Sequence, residues 1–79
     1  MRIDIKASDI STGSPVPYAT VSIGSRIGHT DEKGIARFEI PDPDDYMVKV
    51  RSGEFEPFSR VISLVEPTTI TAKLKYARL

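Results

Sequence analysis

The side chains that could do chemistry are few, and they do not form a familiar set. His29 is the only histidine and there is no cysteine, so a zinc site built from nitrogen and sulfur ligands is excluded. Beside Gly28, His29 reads as an exposed turn residue. Asp42, Asp44 and Asp45 make an acidic stretch with Pro41 and Pro43. Calcium takes about six to eight oxygens from spaced carboxylates and carbonyls, and the spaced Asp/Gly loop of an EF-hand is missing here. The stretch reads instead as a solvated, proline-stiffened turn. A Ser-His-acid triad would have to use His29, and no serine stands in a nucleophile elbow. The expectation is a chain that is not an enzyme and carries no metal or cofactor. What remains are rings: Phe55 and Phe58 around Pro57, and Tyr18 before a predicted strand. Exposed rings can serve as platforms for sugars, but Trp is absent, and packing is the expected role of all three. These three residues are the candidate interaction surface.

The elements that must position them are short. Gly13-Ser14-Pro15, Gly24, Gly28, Lys33-Gly34, the run Pro41 to Asp45, Ser52-Gly53, Pro57 and Pro67 punctuate the chain into strand-length pieces. Within them apolar residues recur with period two. Ile3, Ile5 and Ala7 form one set, and Ala19, Val21 and Ile23 another. Ala36, Phe38 and Ile40 come next, then Tyr46, Val48 and Val50. Each set describes a strand with one face on a core and one in water. Phe58 to Val65 reads as a strand whose facing the pattern leaves open: Phe58, Ile62 and Leu64 share one face with Arg60, and Val61 and Val65 share the other with Ser59 and Ser63. From Thr69 a helix competes, but three threonines decide for strand. A short strand from Arg26 to Thr30 completes about seven. Thr30-Asp31-Glu32-Lys33-Gly34 is the strongest hairpin signal: Asp turns the backbone through its side chain, and Gly takes the φ > 0 position.

Composition bounds the class. Seventy-nine residues make one domain, residues 1–79, and 39% apolar content is enough for a packed core. Ile and Val are plentiful, while Leu occurs only at positions 64, 74 and 79, a bias toward pleated surfaces. Eleven basic and eleven acidic residues cancel and alternate along the chain, which argues against nucleic acid as a partner. No run approaches the roughly 20 apolar residues of a membrane span. The N-terminus shows no signal peptide's apolar region. Asn and Gln are missing together with Cys, the thermolabile set that hot-adapted proteins tend to lose, so a thermostable domain is expected.

The pieces then resemble a family. Asp9-Ile10-Ser11-Thr12-Gly13-Ser14-Pro15-Val16-Pro17-Tyr18-Ala19-Thr20-Val21-Ser22-Ile23 is similar to the D-x-x-T-G-x-P-L/V-x-x-A-x-V-x-I/L opening of carboxypeptidase regulatory-like domains. Thr30-Asp31-Glu32-Lys33-Gly34, with Phe38, Ile40 and Pro41 after it, resembles that family's T-D-x-x-G hairpin and its next strand. Asp45-Tyr46-Met47-Val48-Lys49-Val50 resembles its G-x-Y-x-L/V-x-V strand, and Gly53-Glu54-Phe55 its G-Y/F turn. Asp44-Asp45 departs from the usual Gly before Tyr, and one residue separates Gly53 from Phe55. The resemblance covers essentially the whole chain. It implies an all-β, seven-stranded antiparallel Greek-key sandwich of transthyretin-like fold, with Ala19, Val21, Phe38, Tyr46 and Val48 facing inward. It also implies an accessory role beside a neighbouring domain or partner protein, in an extracytoplasmic or cell-surface setting. The hydroxyisourate hydrolases of that fold need paired histidines and end Tyr-Arg-Gly-Ser, whereas this chain has one His and ends Tyr76-Ala77-Arg78-Leu79. Pilin-type relatives close a Lys–Asn or Lys–Asp isopeptide bond, for which this chain has no Asn and its last strand no Asp.

The expected function is therefore a non-catalytic module that spaces, stabilises or docks a neighbour, with carbohydrate or small-ligand binding as the alternative. Every recognised motif residue has a folding task, and a scaffold motif carries no functional information of its own.

Overall fold

The computed structural model of the chain describes residues 1–77, so Arg78 and Leu79, half of the C-terminal comparison with the hydrolases, lie outside the described residues. Seven strands form: β1 (Arg2–Asp9), β2 (Thr20–Ile23), β3 (Arg26–His29), β4 (Ile35–Glu39), β5 (Asp44–Arg51), β6 (Phe58–Leu64) and β7 (Thr68–Leu74). Two sheets result, one of order β4-β1-β7 and one of order β3-β2-β5-β6. The alternating apolar sets point between them. Ile3, Ile5, Ala7, Val21, Ile23, Ala36, Phe38, Val48, Val50, Leu64, Ala72 and Leu74 are buried there, with Ile40, Val16 and Ala19 closing the ends. This is a two-layer β-sandwich-like fold with one core.

One ladder departs from the expected all-antiparallel sandwich. β1 and β7 pair in parallel, from Ile3 opposite Thr68 to Asp9 opposite Leu74. The other ladders are antiparallel. The reason is arithmetic: each strand reverses the one before it, so the first and the seventh run the same way. Placed side by side, they must pair in parallel. Residue 1 therefore sits at one end of the strands and residues 75–77 at the other, along a body of 39 × 21 × 18 Å.

Four local expectations are corrected. Asp44 and Asp45 are the first residues of β5 and not part of the turn, because their partners Leu64 and Ser63 extend the ladder to them. His29 ends β3 opposite Thr20; it is exposed, but on a strand. Tyr46 is half-buried because its ring reaches the sheet's end, where its hydroxyl donates to Asp42 O at 2.7 Å. Phe58 and Ile62 lie on the inward face, which their spacing left open, yet are only half-buried because β6 is an edge strand.

The hairpin corner is built as its residues dictate. Asp31 Oδ1 accepts from Lys33 N at 2.8 Å and Ile35 N at 3.0 Å, and Gly34 takes φ +79°. A Cβ at Gly34 would meet Ala7 O at 2.7 Å and Pro15 Cβ at 3.0 Å. Thr30, almost fully buried, accepts from Ala19 N at 2.8 Å and donates to Val16 O at 2.9 Å through one hydroxyl. That hydroxyl stitches the long β1–β2 connection to the hairpin. The backbone bonds to Ile35 and Lys33, with Arg37 and Lys33 nearby, hold the Asp31 carboxyl below the ordinary aspartate value against a smaller opposing desolvation.

Candidate interaction surface

The three ring residues singled out from the sequence do not converge. Tyr18 is 73% exposed, at φ +57°, with its backbone N–H donating to Thr30 O at 3.0 Å. Its expected packing role is corrected: the left-handed backbone that carries the chain into β2 turns its ring outward. Phe58 packs half-buried against the core, with the Arg60 guanidinium 5.3 Å from its ring centre. Phe55 has a different partner. Its ring stacks on Tyr76 at 4.4 Å between centroids and 23° between planes.

That stack is placed by backbone. Phe55 N donates to Ser52 O at 2.8 Å to close the turn after β5. Glu56 N donates to Lys75 O at 2.7 Å, and Ala77 N to Glu54 O at 2.8 Å. The loop after β5 and the segment after β7 thus form a small antiparallel bridge, with one ring on each side. Two clefts flank it. One, of about 520 Å³, is lined by Thr20, Arg51, Ser52, Gly53, Phe55 and Pro57. The other, of about 440 Å³, is lined by Gly53, Glu54, Tyr76 and Ala77. The first combines a ring, two hydroxyls and a guanidinium, a set suited to holding a polar ligand with an apolar face. Tyr76, Arg51 and Thr20 were not singled out from the sequence. Tyr76 continues the alternation of β7 and so reads as one more inward residue. Nothing in the residue pattern tells that the chain leaves the sheet after Leu74 and pairs back onto residues 54–56.

The acidic stretch is spent locally. Asp44 Oδ1 accepts from Asp45 N, Asp45 Oδ1 from the Ser63 hydroxyl, and Asp42 O from Tyr46. Among the described residues no three His, Cys, Asp or Glu side chains are grouped closely enough to hold a metal ion. On the outer face of the smaller sheet, Asp4 Oδ1 lies 3.4 Å from Arg2 Nε and 3.7 Å from Arg37 Nε. These are charge contacts without a hydrogen bond to that oxygen among the described residues.

Comparison with known protein families and with curated proteins gives no match. Solved structures do share the fold. The Bacillus anthracis TIE protein superposes with a TM-score of 0.72 at 24% identity, over 95% of this chain and 17% of its own. A Bacteroides fragilis protein of unknown function, described as membrane-associated, superposes with a TM-score of 0.67 at 16% identity, over 99% of this chain and 29% of its own. At these identities the likeness concerns the fold alone. In both, this chain matches under a third of a longer polypeptide.

Proposed function

We propose that the chain is a non-catalytic sandwich module of the carboxypeptidase regulatory-like kind, with the transthyretin-like Greek-key topology, that spaces or docks a neighbouring domain. The observation that carries this reading is the parallel β1–β7 pair. A chain that arrives at β1 and leaves past β7 crosses the sandwich along its strands, so the module sets a distance between the neighbours on its two sides. An even strand number would return the chain to the side it came from. The recurrence of the fold as a small share of two longer proteins supports a modular role. The absence of Asn, Gln and Cys supports a thermally durable one. Carbohydrate binding is the second reading, favoured by the Phe55 ring beside Thr20, Ser52 and Arg51 in one cleft.

Two reporter domains joined by this chain test the first reading through the distance distribution between dyes on them. A single narrow distance, distinct from that of a Gly/Ser linker of equal length, is expected. A distribution as broad as the flexible linker's overturns the spacer. A glycan array tests the second reading: binding lost in both Phe55→Ala and Arg51→Ala supports it, and no binding removes it.

A further inference from the structure

The two sheets carry charge differently on their outer faces. On the smaller sheet, Arg2 and Arg37 stand beside Asp4. On the larger sheet Val21, Val48 and Val50 turn fully inward, and the alternate residues face water. His29, Thr20 and Arg51 form one cross-strand row there, and Ser22 and Lys49 stand in the next. Among the described residues none of His29, Lys49 and Arg51 has a carboxylate within ion-pair distance; the ion pairs are those of Met1, Arg2 and Arg37. Asp45, on the same face of β5, stands about 20 Å along the strand from Arg51, about twice the screening length at ordinary ionic strength. Asp31, two residues past His29, spends its Oδ1 on the hairpin backbone. Of the loop carboxylates, Glu54 lines the cleft on the Tyr76 side and Glu56 lines neither cleft. Positive charge is thus left uncompensated at the end of β5, where the larger of the two clefts opens.

That cleft asks three things of a ligand at once. Arg51 offers a planar guanidinium fork, whose match is an oxyanion. The hydroxyls of Thr20 and Ser52 exchange hydrogen bonds with other hydroxyls. Phe55, with Tyr76 on one face of its ring, and Pro57 supply an apolar wall suited to a flat face of C–H groups. The turn closed by Phe55 N donating to Ser52 O holds ring and guanidinium in place before any ligand arrives.

Inorganic phosphate or a run of acidic side chains would satisfy the guanidinium and leave the apolar wall bare. A neutral sugar would use the ring and the hydroxyls and leave Arg51 without its match. A pyranose bearing a carboxylate uses all three. We propose that this cleft binds a uronic acid unit of a saccharide. Its carboxylate lies on Arg51, with Lys49 about 7 Å away along the strand. Its hydroxyls meet Thr20 and Ser52, and its C–H face rests on Phe55. Such a ligand presupposes the carbohydrate reading and adds to it the sign of the sugar's charge.

The test is calorimetric titration with trimers of galacturonate, glucuronate and mannuronate, each beside its own methyl ester, because esterification removes the charge and keeps the ring. At least one acid is expected to bind about tenfold or more tighter than its ester, with an advantage that shrinks as salt rises. Arg51→Gln is expected to erase that advantage, so that acid and ester bind alike; its melt should match the wild type, since Arg51 is exposed. Phe55→Leu keeps an apolar side chain in the loop but removes the ring, and should weaken acid and ester by a similar factor. Acid and ester binding alike to the wild type overturns the proposal and leaves the carbohydrate reading standing. An acid advantage that survives Arg51→Gln also overturns it, as does binding of none of the acids. Polyglutamate binding as tightly as the best acid overturns it in favour of an acidic protein segment. In those last two cases neutral sugars on the glycan array decide separately whether the carbohydrate reading survives.

Discussion

Two loops lie at the same end of the molecule and are held in opposite ways. In the corner around Thr30 to Gly34, polar atoms are buried and paired: one hydroxyl serves two backbone groups of the β1–β2 connection, and one carboxylate organises the hairpin. In the loop from Ser52 to Pro57, three backbone bonds and a pair of half-exposed rings do the holding, with an open cleft on each side. Buried polar pairs are costly to disturb because a lost partner leaves a group without water. A stack at the surface loses only part of its contact. The corner therefore specifies the fold, and the ring-bearing loop is held by contacts that cost less to disturb.

Gly34→Val should separate the two loops most clearly. It forces a β-branched residue into φ +79° and its Cβ against Ala7 O, so a loss of about 3 kcal/mol or more is expected in denaturant unfolding. A midpoint like the wild type's would mean that the corner does not specify the fold.

Thr30→Val keeps the volume and removes the hydroxyl, leaving Ala19 N and Val16 O without it. About 2–4 kcal/mol should be lost. A cost below that of any ring truncation would invert the contrast.

In the other loop the effects should be smaller. Phe58→Ala is expected to cost about 2 kcal/mol, as it packs on the core without being fully buried. Phe55→Ala and Tyr76→Ala should each cost about 1 kcal/mol, with a coupling of about 0.5–1.5 kcal/mol in the double-mutant cycle if the stack persists in solution. Additive costs would mean the rings do not touch.

The subtlest difference is in acid. Because the Asp31 carboxyl titrates lower in the folded chain than in the unfolded one, its contribution is full above the ordinary aspartate range and fades as pH falls through the lower folded value. Asp31→Asn keeps an acceptor oxygen without the titration, so its stability should fall less steeply than the wild type's over that window. Parallel pH profiles would assign the acid sensitivity to other carboxylates.

What could be read along the chain was what depends on near neighbours. Period-two alternation placed six of the seven strands within two residues of their bounds, because a pleated strand with one wet face imposes that period directly. Thr30-Asp31-Glu32-Lys33-Gly34 announced its turn because an Asp side chain and a Gly backbone act within five residues. The Asp44-Asp45 start of β5 was misplaced because a partner strand, not the local residues, extended the ladder.

The rest needed the third dimension. No residue type records that β1 lies beside β7, so the parallel pair and the crossing of the chain from end to end follow from topology alone. Phe55 and Tyr76 are 21 positions apart, and only the bridge between two loops stacks them. Whether Phe58 is core or half-exposed depends on β6 lying at the edge of its sheet. Local sequence determines where strands and turns fall through sterics and periodicity. Which edges stay open, and which rings meet, is decided by how distant strands share one core.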